Sequence, residues 1–464
     1  MRKNTPRTLR AAAAAAAALT LSPLALAAGG ATLSGWAMLP AATFSDGPTS
    51  GQFAFTNAYS PENNPVYVDK QPVQGFSGVL AGANGSFRML VDNGFGNKAN
   101  SVDALLRLYA VRPDFRTASG GSGTVGAADF STGAALPGFS AASRITLNDA
   151  QRKLPFAIVA DGATYPGSAI AVAPAIQAGR LLTGGDLDVE SVRRDRQGNY
   201  WFGEEFGPFL VKTDANGTVQ KVFRTPNVLG LGANPYVQSP SNPLPTGANN
   251  LPGSGGFEGM ALNTSGTRLY TLLERPLTTD ADQKRLLIQE FSLDSETFTG
   301  AVFGYKLDAA GTNIGDFSAI NDHEFLVIER NGGTATAGTP FKKIFKIDIA
   351  QLDADGFARK TELVDLMAIA DPHDLNGDGA TSFTFPYVTI EDVLVLDAQT
   401  LLVVNDNNFP GGGGRALTSD NTEFLKIHLD TPLAVAAVPE PGTYALLLAG
   451  LGLVGGVARR RRHG

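Results

Sequence analysis

The feature that most constrains the fold is a short pattern that recurs five times along the chain. Each copy begins with an apolar residue followed by Ser or Glu, then passes through a polar turn. It ends a hydrophobic strand on an acid, an amide or an acid–Arg pair. The copies lie at residues 76–94, 189–207, 257–276, 317–331 and 390–408. One strand–turn–strand hairpin per repeat is typical of the blades of a β-propeller.

The rest of the chain favours the same fold class. Short runs of Val, Ile, Leu, Phe and Tyr alternate with turn residues, and the sequence holds 54 Gly and 27 Pro. This pattern predicts an all-β chain of many short strands. We expect a single β-propeller of five or six blades over residues 28–437. Long surface loops are predicted at residues 117–136 and 227–256, and no linker divides the chain.

The polar residues of the repeats predict a shared site. The copies begin at Ser77, Glu190, Glu258, Ser318 and Glu391 and end at Asp92, Glu204, Glu274, Glu329 and Asn405. Innermost strands of propeller blades run along a central channel, so we expect these ends to meet at one mouth of it. In Tyr200 to Leu210, Gly207-Pro208 would turn the chain away behind Glu204 and Glu205. The alternative is that each acid caps a turn of its own blade.

The N-terminus has the pattern of a secretory signal. Residues 1–10 carry four basic residues and no acid, and an apolar run follows that closes on Ala25-Leu26-Ala27. This predicts a signal peptide over residues 1–27 and export of the mature chain. There is no Cys, so neither a disulfide nor a thiol contributes. The net charge of −7 becomes more negative when the terminal cations are removed, which disfavours nucleic-acid binding.

The C-terminus, residues 438–464, resembles the PEP-CTERM sorting signal of Gram-negative bacteria. It contains Val438-Pro439-Glu440-Pro441, an apolar stretch at residues 443–458 and a basic cluster at residues 459–462. The resemblance implies recognition and cleavage by an exosortase. It also implies a location at the cell envelope or extracellular surface, with transient membrane anchoring through the C-terminal helix until the tail is processed. An ordinary membrane anchor is the alternative.

Clustered acids predict calcium sites. Asp186, Asp188 and Glu190 alternate with apolar residues, so on a strand their carboxylates share one face. With Glu204, Glu205 and Glu258 nearby, they would offer calcium an oxygen-rich site; a solvated edge strand is the alternative. A second candidate is the first half of an EF-type loop, Asp374-x-Asn376-x-Asp378, although Phe385 occupies the position of its last ligand.

Two arginines, and the absence of a serine-hydrolase motif, limit the possible catalytic mechanisms. Arg275 and Arg330 each follow a glutamate at a strand end, where a guanidinium pairs with phosphate or orients the adjacent acid. Asp92, Asn405 and Asp406 would contact substrate at the same mouth. The chain has four His and no GxSxG elbow, which disfavours a serine hydrolase.

The segments DLDVESV, WFGEEFGPFL, GFEGMAL, LLERP and VIERN resemble, in order and spacing, a phytase-like family described as having esterase-like activity of phytase. The resemblance covers residues 75–428. It implies a β-propeller related to calcium-dependent phytases and an exported phosphoesterase acting on a small phosphate ester.

On this hypothesis, calcium lies among Asp188, Glu190, Glu204, Glu205 and Glu258. Arg275 or Arg330 stabilises developing charge, and Glu329 accepts a proton. A non-catalytic binding propeller of the envelope or matrix and a metal-dependent lactonase are the alternatives.

Overall fold

The computed structural model describes residues 30–54, 66–415 and 419–436. The predicted signal peptide and the predicted C-terminal sorting signal lie outside these residues. The strands of the described part are β1 Ala31–Leu39, β2 Phe44–Asp46, β3 Lys70–Pro72, β4 Phe76–Ala81, β5 Phe87–Val91, β6 Arg107–Asp114, β7 Thr124–Ala127, β8 Arg144–Thr146, β9 Val189–Arg194, β10 Tyr200–Glu204, β11 Phe209–Thr213, β12 Val219–Arg224, β13 Gly259–Leu262, β14 Arg268–Leu272, β15 Arg285–Ser292, β16 Thr297–Lys306, β17 Asn313–Ala319, β18 Glu324–Arg330, β19 Lys342–Leu352, β20 Ala358–Asp365, β21 Ile369–Ala370, β22 Ser382–Phe383, β23 Thr389–Asp397, β24 Thr400–Asp406 and β25 Thr422–Leu429.

Helical structure in the described part is limited to short pieces. One α-helix, α1, spans Pro174–Gly179, and 3₁₀ turns occur at Ala83–Gly85, Ala141–Ser143 and Val159–Asp161. None of these described helices is both long and apolar enough to span a bilayer.

The strands form antiparallel four-stranded sheets around a common axis. Three of them are β9 to β12, β13 to β16 and β17 to β20, each in chain order. A fourth contains β4 to β7, and a fifth contains β23, β24, β25 and the N-terminal strand β1; these two are joined at their outer edges by one parallel residue pair, Met38 of β1 with Thr124 of β7. Because β1 pairs with β25 along its whole length, residues from both ends of the described chain complete one sheet. This pairing closes the propeller by joining the first and last strands of the described residues.

The first strands of these five sheets surround the axis. β4 contacts β9 and β23, β13 contacts β9 and β17, and β17 contacts β23, which closes the circle. Hydrophobic side chains fill the spaces between neighbouring sheets; Leu90 and Leu108 of one sheet pack with Val192 and Phe202 of the next. Burial of these faces is the main force that holds the sheets together. The all-β propeller predicted from the sequence is therefore confirmed.

The two predicted loops differ in outcome. Residues 227–256 contain no named strand, and Ser254 at their C-terminal end reaches the central pocket described below. Residues 117–136 contain β7, so the prediction of a loop there is wrong for Thr124–Ala127. Val125 and Ala127 are buried on one side of β7 while Thr124 and Gly126 are exposed. An alternation of only four residues is too short to indicate a strand within a segment rich in Gly and Ser.

Candidate active site at the propeller mouth

A polar pocket of about 320 Å³ opens where the first strand of each sheet begins and the second ends. Acidic side chains dominate its wall. The lining carboxylates are Asp92, Asp188, Glu190, Glu205, Glu258, Glu274, Glu391 and Asp406, and the lining guanidiniums are Arg275 and Arg330. The structure therefore places acids from different repeats at one mouth of the central channel, as predicted.

β-Bulges direct the first acid of several repeats into this pocket. In β9 the pairing with β10 passes from Val189 directly to Ser191, so Glu190 is the extra residue. In β23 the pairing skips Glu391 in the same way. In β4 it skips Ser77, whose hydroxyl donates to Glu391 Oε2 at 3.0 Å. A bulge re-aims its extra residue away from the sheet face, which explains the shared orientation.

At the end of the second strand three repeats follow a simple alternation, whereas in another both Glu274 and Arg275 line the pocket. Successive side chains of a strand point to opposite faces, so in those three repeats one of two adjacent residues faces the pocket. Glu205, Arg330 and Asp406 line it, whereas their predecessors Glu204, Glu329 and Asn405 do not. The sequence prediction assigned roles to both members of each of these pairs.

Two groups of carboxylates are close enough to hold cations. Asp188, Glu190 and Glu205 form one group, and Glu205, Glu258 and Glu274 form the other. In each group, one oxygen from each residue lies within 4.8 Å of the others. Glu205 is common to both groups.

The unpartnered oxygens of this cluster support a cation. Asp188 Oδ1 is buried without a hydrogen-bond partner, and Glu274 Oε2 is buried with no hydrogen bond and has the Arg275 guanidinium 3.5 Å away. An unpaired buried carboxylate oxygen is costly unless it coordinates a metal or is protonated. The donor set consists of carboxylate oxygens, which suit a hard cation such as calcium. The residues present therefore fit a divalent cation.

Arg330 is a cation that the protein itself places among these acids. Its Nη2 lies 2.8 Å from Glu258 Oε1, 2.9 Å from Glu391 Oε1 and 3.3 Å from Glu274 Oε1. Glu258 and Glu274 flank β13 and β14 of one sheet, and Glu391 lies in β23 of another, while Arg330 ends β18 of a third, so this one guanidinium links three sheets at the mouth. By contrast, the Arg275 side chain is 44% exposed and lies 3.5 Å from Glu274 Oε2.

Burial and mutual repulsion raise the pKa of the acids in the pocket. Burial is the largest cause of the raised pKa of Glu190, Glu205 and Glu258, and nearby carboxylates add to it. Burial likewise raises the pKa of Glu391 to about 8 and that of Asp406 to about 6. Without a cation the folded pocket retains protons that the unfolded chain would release.

This titration predicts a pH-dependent stability of the metal-free protein. A folded-state pKa above the unfolded value means that the folded state binds more protons between the two values, so its stability falls as pH rises. For Glu391 this interval runs from 4.5 to about 8. We expect the free energy of unfolding in chelator to fall across this interval, and added calcium to stabilise most at its upper end. Denaturant unfolding at several pH values, with chelator or with calcium, measures the fall in the free energy of unfolding and the stabilisation by calcium. A chelated protein whose stability rises over this interval would contradict the prediction.

Several predicted site residues hold the surrounding turns instead. Glu204 is fully buried and accepts hydrogen bonds from the backbone N–H groups of Phe206, at 2.8 Å, and Gly207, at 2.7 Å. Asp186 accepts from the backbone N–H groups of Val159 and Thr183 at 2.7 and 2.9 Å. Neither acid lines the pocket. Both shape the chain segments that carry Asp188 and Glu205.

Glu329 and Asn405 also point away from the mouth. Glu329 accepts hydrogen bonds from the Tyr305 hydroxyl and the Asp308 backbone N–H and pairs with Lys360, between β16 and β20. Asn405 Oδ1 accepts the backbone N–H of Glu423 at 2.7 Å. These contacts give both side chains a local structural role, so the proton-accepting role predicted for Glu329 has no geometric basis at the pocket.

The predicted EF-type loop lies elsewhere, between β21 and β22. Asp374 Oδ1 accepts the Gly379 N–H at 3.0 Å, and Asp378 Oδ1 accepts the Ala380 N–H at 2.8 Å. Asn376 Nδ2 donates to Asp378 Oδ2 at 2.8 Å. The loop therefore uses these oxygens to close its own turn, and calcium binding there stays a prediction.

The sequence interpretation missed Glu274 and Glu391 as site residues, although both stand in the repeats. Fifteen residues separate Ser77 from Asp92, Glu190 from Glu205, and Glu391 from Asp406. The same spacing relates Gly315 to Arg330, so Gly315 rather than Ser318 is the matching position of the fourth copy. This spacing would have selected Asp92, Glu205, Arg330 and Asp406 at the second position, but not Glu274, which lies sixteen residues after Glu258.

Two segments of the chain match known protein families. Residues 71–409 match the model of a family described as "Esterase-like activity of phytase". Residues 437–462 match the PEP-CTERM protein-sorting motif. A curated secreted protein of Arthroderma benhamiae, itself uncharacterised, is 28% identical over 137 residues, which is 26% of this chain and 25% of that protein. The match thus spans about a quarter of that relative.

Solved structures resemble the chain only distantly. A luciferin-regenerating enzyme is 10% identical with a TM-score of 0.35, over 87% of this chain and 98% of that one. An α-L-arabinofuranosidase from Podospora anserina is 12% identical with a TM-score of 0.36, over 84% and 98%. Neither bears on the chemistry of the pocket.

Proposed function

The chain belongs to the phytase-like family, and from that premise we propose that it is an exported, calcium-dependent phosphoesterase acting on a small phosphate ester. The observation that carries the proposal is the pair of carboxylate groups that share Glu205 within one pocket. The PEP-CTERM signal indicates export, processing by an exosortase and sorting to the cell envelope.

The residues that would hold the cations are those of the two carboxylate groups, Asp188, Glu190, Glu205, Glu258 and Glu274. Glu205 belongs to both groups. When bound, calcium would supply electrostatic activation of the phosphate ester and neutralise its negative charge. Asp188 Oδ1 and Glu274 Oε2, which make no hydrogen bond, are the oxygens that a bound cation would stabilise most. Burial of this whole donor set excludes bulk water and strengthens each interaction in the pocket.

The guanidiniums of the chain would position the substrate. Arg275 lies at the rim with its side chain 44% exposed, so it can contact an entering phosphate without breaking a buried ion pair. Arg330 holds Glu258, Glu274 and Glu391 in place through its three ion pairs. We assign substrate contact to Arg275 and positioning of the acids to Arg330.

Proton transfer would fall to an acid outside the two cation-holding groups. Asp406 lines the pocket, and burial raises its pKa to about 6, so it is largely ionised near neutral pH yet able to accept a proton. Asp92 lies on the same wall, and its pKa is raised well above the usual value by burial and by Asp406. Asp406 is therefore our candidate general base.

The test is phosphate release by the purified protein from a panel of phosphomonoesters, phosphodiesters and phytate. We expect release that requires calcium and stops when a chelator is added. A folded, calcium-loaded protein that releases no phosphate from any of them would overturn the proposal. Glycan or lactone panels would then test the binding-propeller and lactonase alternatives.

A further inference from the structure

A second pocket lies on the side of the molecule, away from the mouth. Its volume is about 670 Å³, and it shares no lining residue with the acidic pocket. Arg107, the first residue of β6, lies at its wall with only 3% of its surface exposed. Since β6 is the third strand from the axis, this pocket is independent of the proposed catalytic site.

The charge of Arg107 is not balanced by a nearby acid. Within the part of the chain that the structure describes, no carboxylate lies at ion-pair distance from it. Its Nη1 donates to the Asp46 carbonyl at 3.0 Å and to the Tyr109 hydroxyl at 2.9 Å, while Nε is buried without a partner. A buried guanidinium without a carboxylate is costly.

The nearest acid is engaged by another arginine. Arg144, which also lines the pocket, places Nη1 at 2.6 Å from Asp46 Oδ1 and Nη2 at 3.0 Å from Oδ2. This bidentate pair uses both oxygens of Asp46 and holds the pKa of that carboxyl at about 2. Two guanidiniums therefore face one pocket with a single carboxylate between them, which leaves a positive excess. Asp69 lies on the rim but is exposed, so water screens its charge.

The remaining wall is mixed in polarity. Leu105, Ala171, Pro174 and Leu181 form an apolar part, and the hydroxyl-bearing Thr49 and Thr146 border the arginines. Such a pocket suits a ligand with an apolar body and one anionic end.

We propose that this side pocket binds a small organic carboxylate, with the anionic end against Arg107 and the apolar body against Leu105 and Leu181. Arg forks recognise carboxylates with paired hydrogen bonds, and the side chains of Arg107 and Arg144 both line this pocket. The ligand would balance the buried charge of Arg107, which makes no ion pair with any of the described residues.

The experiment is a fluorine NMR titration of the purified protein with para-fluorobenzoate, in chelator so that calcium at the mouth does not attract anions. The uncharged para-fluorobenzamide is the ligand control. We expect benzoate to bind and benzamide to bind at least about tenfold more weakly, because a charge-assisted hydrogen bond is lost. Equal binding of both, or no binding of benzoate, would overturn the proposal.

Variants locate the site. Arg107→Gln should weaken benzoate binding at least about tenfold, whereas Arg112→Gln, an exposed arginine of the same strand, should leave it unchanged. Should Arg107→Gln fail to fold, Ala175→Trp fills the pocket from an exposed position and removes no side-chain hydrogen bond. Undiminished benzoate binding by the folded Arg107→Gln protein, or by Ala175→Trp, would place any benzoate site elsewhere and refute the assignment.

Discussion

Glu205→Gln is expected to abolish calcium-dependent phosphate release, with a loss of at least about a thousand-fold in turnover. Glu205 belongs to both carboxylate groups, so neutralising it weakens both cation positions at once. The fold should survive, because Gln keeps the oxygen that accepts the Ser254 hydroxyl at 2.9 Å and the Gly255 N–H at 2.7 Å. Calorimetric titration of calcium and phosphate release together measure the effect.

Two other glutamates serve as controls for this change. Glu362→Gln removes a charge from a surface pair with Lys343 and should leave turnover unchanged. Glu204→Gln replaces one acceptor of the turn at Phe206 and Gly207, and should lower the free energy of unfolding by about 1–3 kcal/mol. Full turnover and unaltered calcium stoichiometry in Glu205→Gln would remove Glu205 from the site.

Arg330→Gln is expected to destabilise the metal-free protein by about 3–5 kcal/mol. The substitution leaves Glu258, Glu274 and Glu391 buried without their shared cation. Calcium should recover part of the loss, and should stabilise the variant more than the original protein, because it replaces the missing positive charge. Denaturant unfolding in chelator measures the loss of stability, and the same experiment in calcium measures the recovery.

Arg275→Gln is the matched control. It removes the same charge from the same pocket, but its side chain is 44% exposed and its pair with Glu274 is 3.5 Å long. Its effect on stability should not exceed about 1 kcal/mol. An Arg330→Gln protein that unfolds in chelator at the original denaturant concentration would show that the three acids do not depend on this guanidinium.

The mouth shows which site residues a sequence repeat can predict and which it cannot. The repeats placed Glu190, Glu258 and the Glu204-Glu205 pair in related segments, and the structure brings these segments to one mouth. The repeats did not distinguish Glu205 from Glu204 or Arg330 from Glu329. Adjacent strand residues have nearly identical sequence context, yet one faces the pocket and the other packs against a turn.

The sequence by itself determined the class of the fold and the chemistry available to it. Alternating apolar strands with turn residues specify sheets, and acids repeated at strand ends specify an anionic mouth. The tertiary structure alone decided which side chains meet. Bulges at Glu190 and Glu391 set the orientation of those acids. Arg330 joins Glu258 and Glu274 of one hairpin to Glu391, which lies more than a hundred residues further along the chain. Strand orientation depends on pairing with a neighbour, and a shared ion pair depends on closure of the ring, so neither is encoded within any single segment.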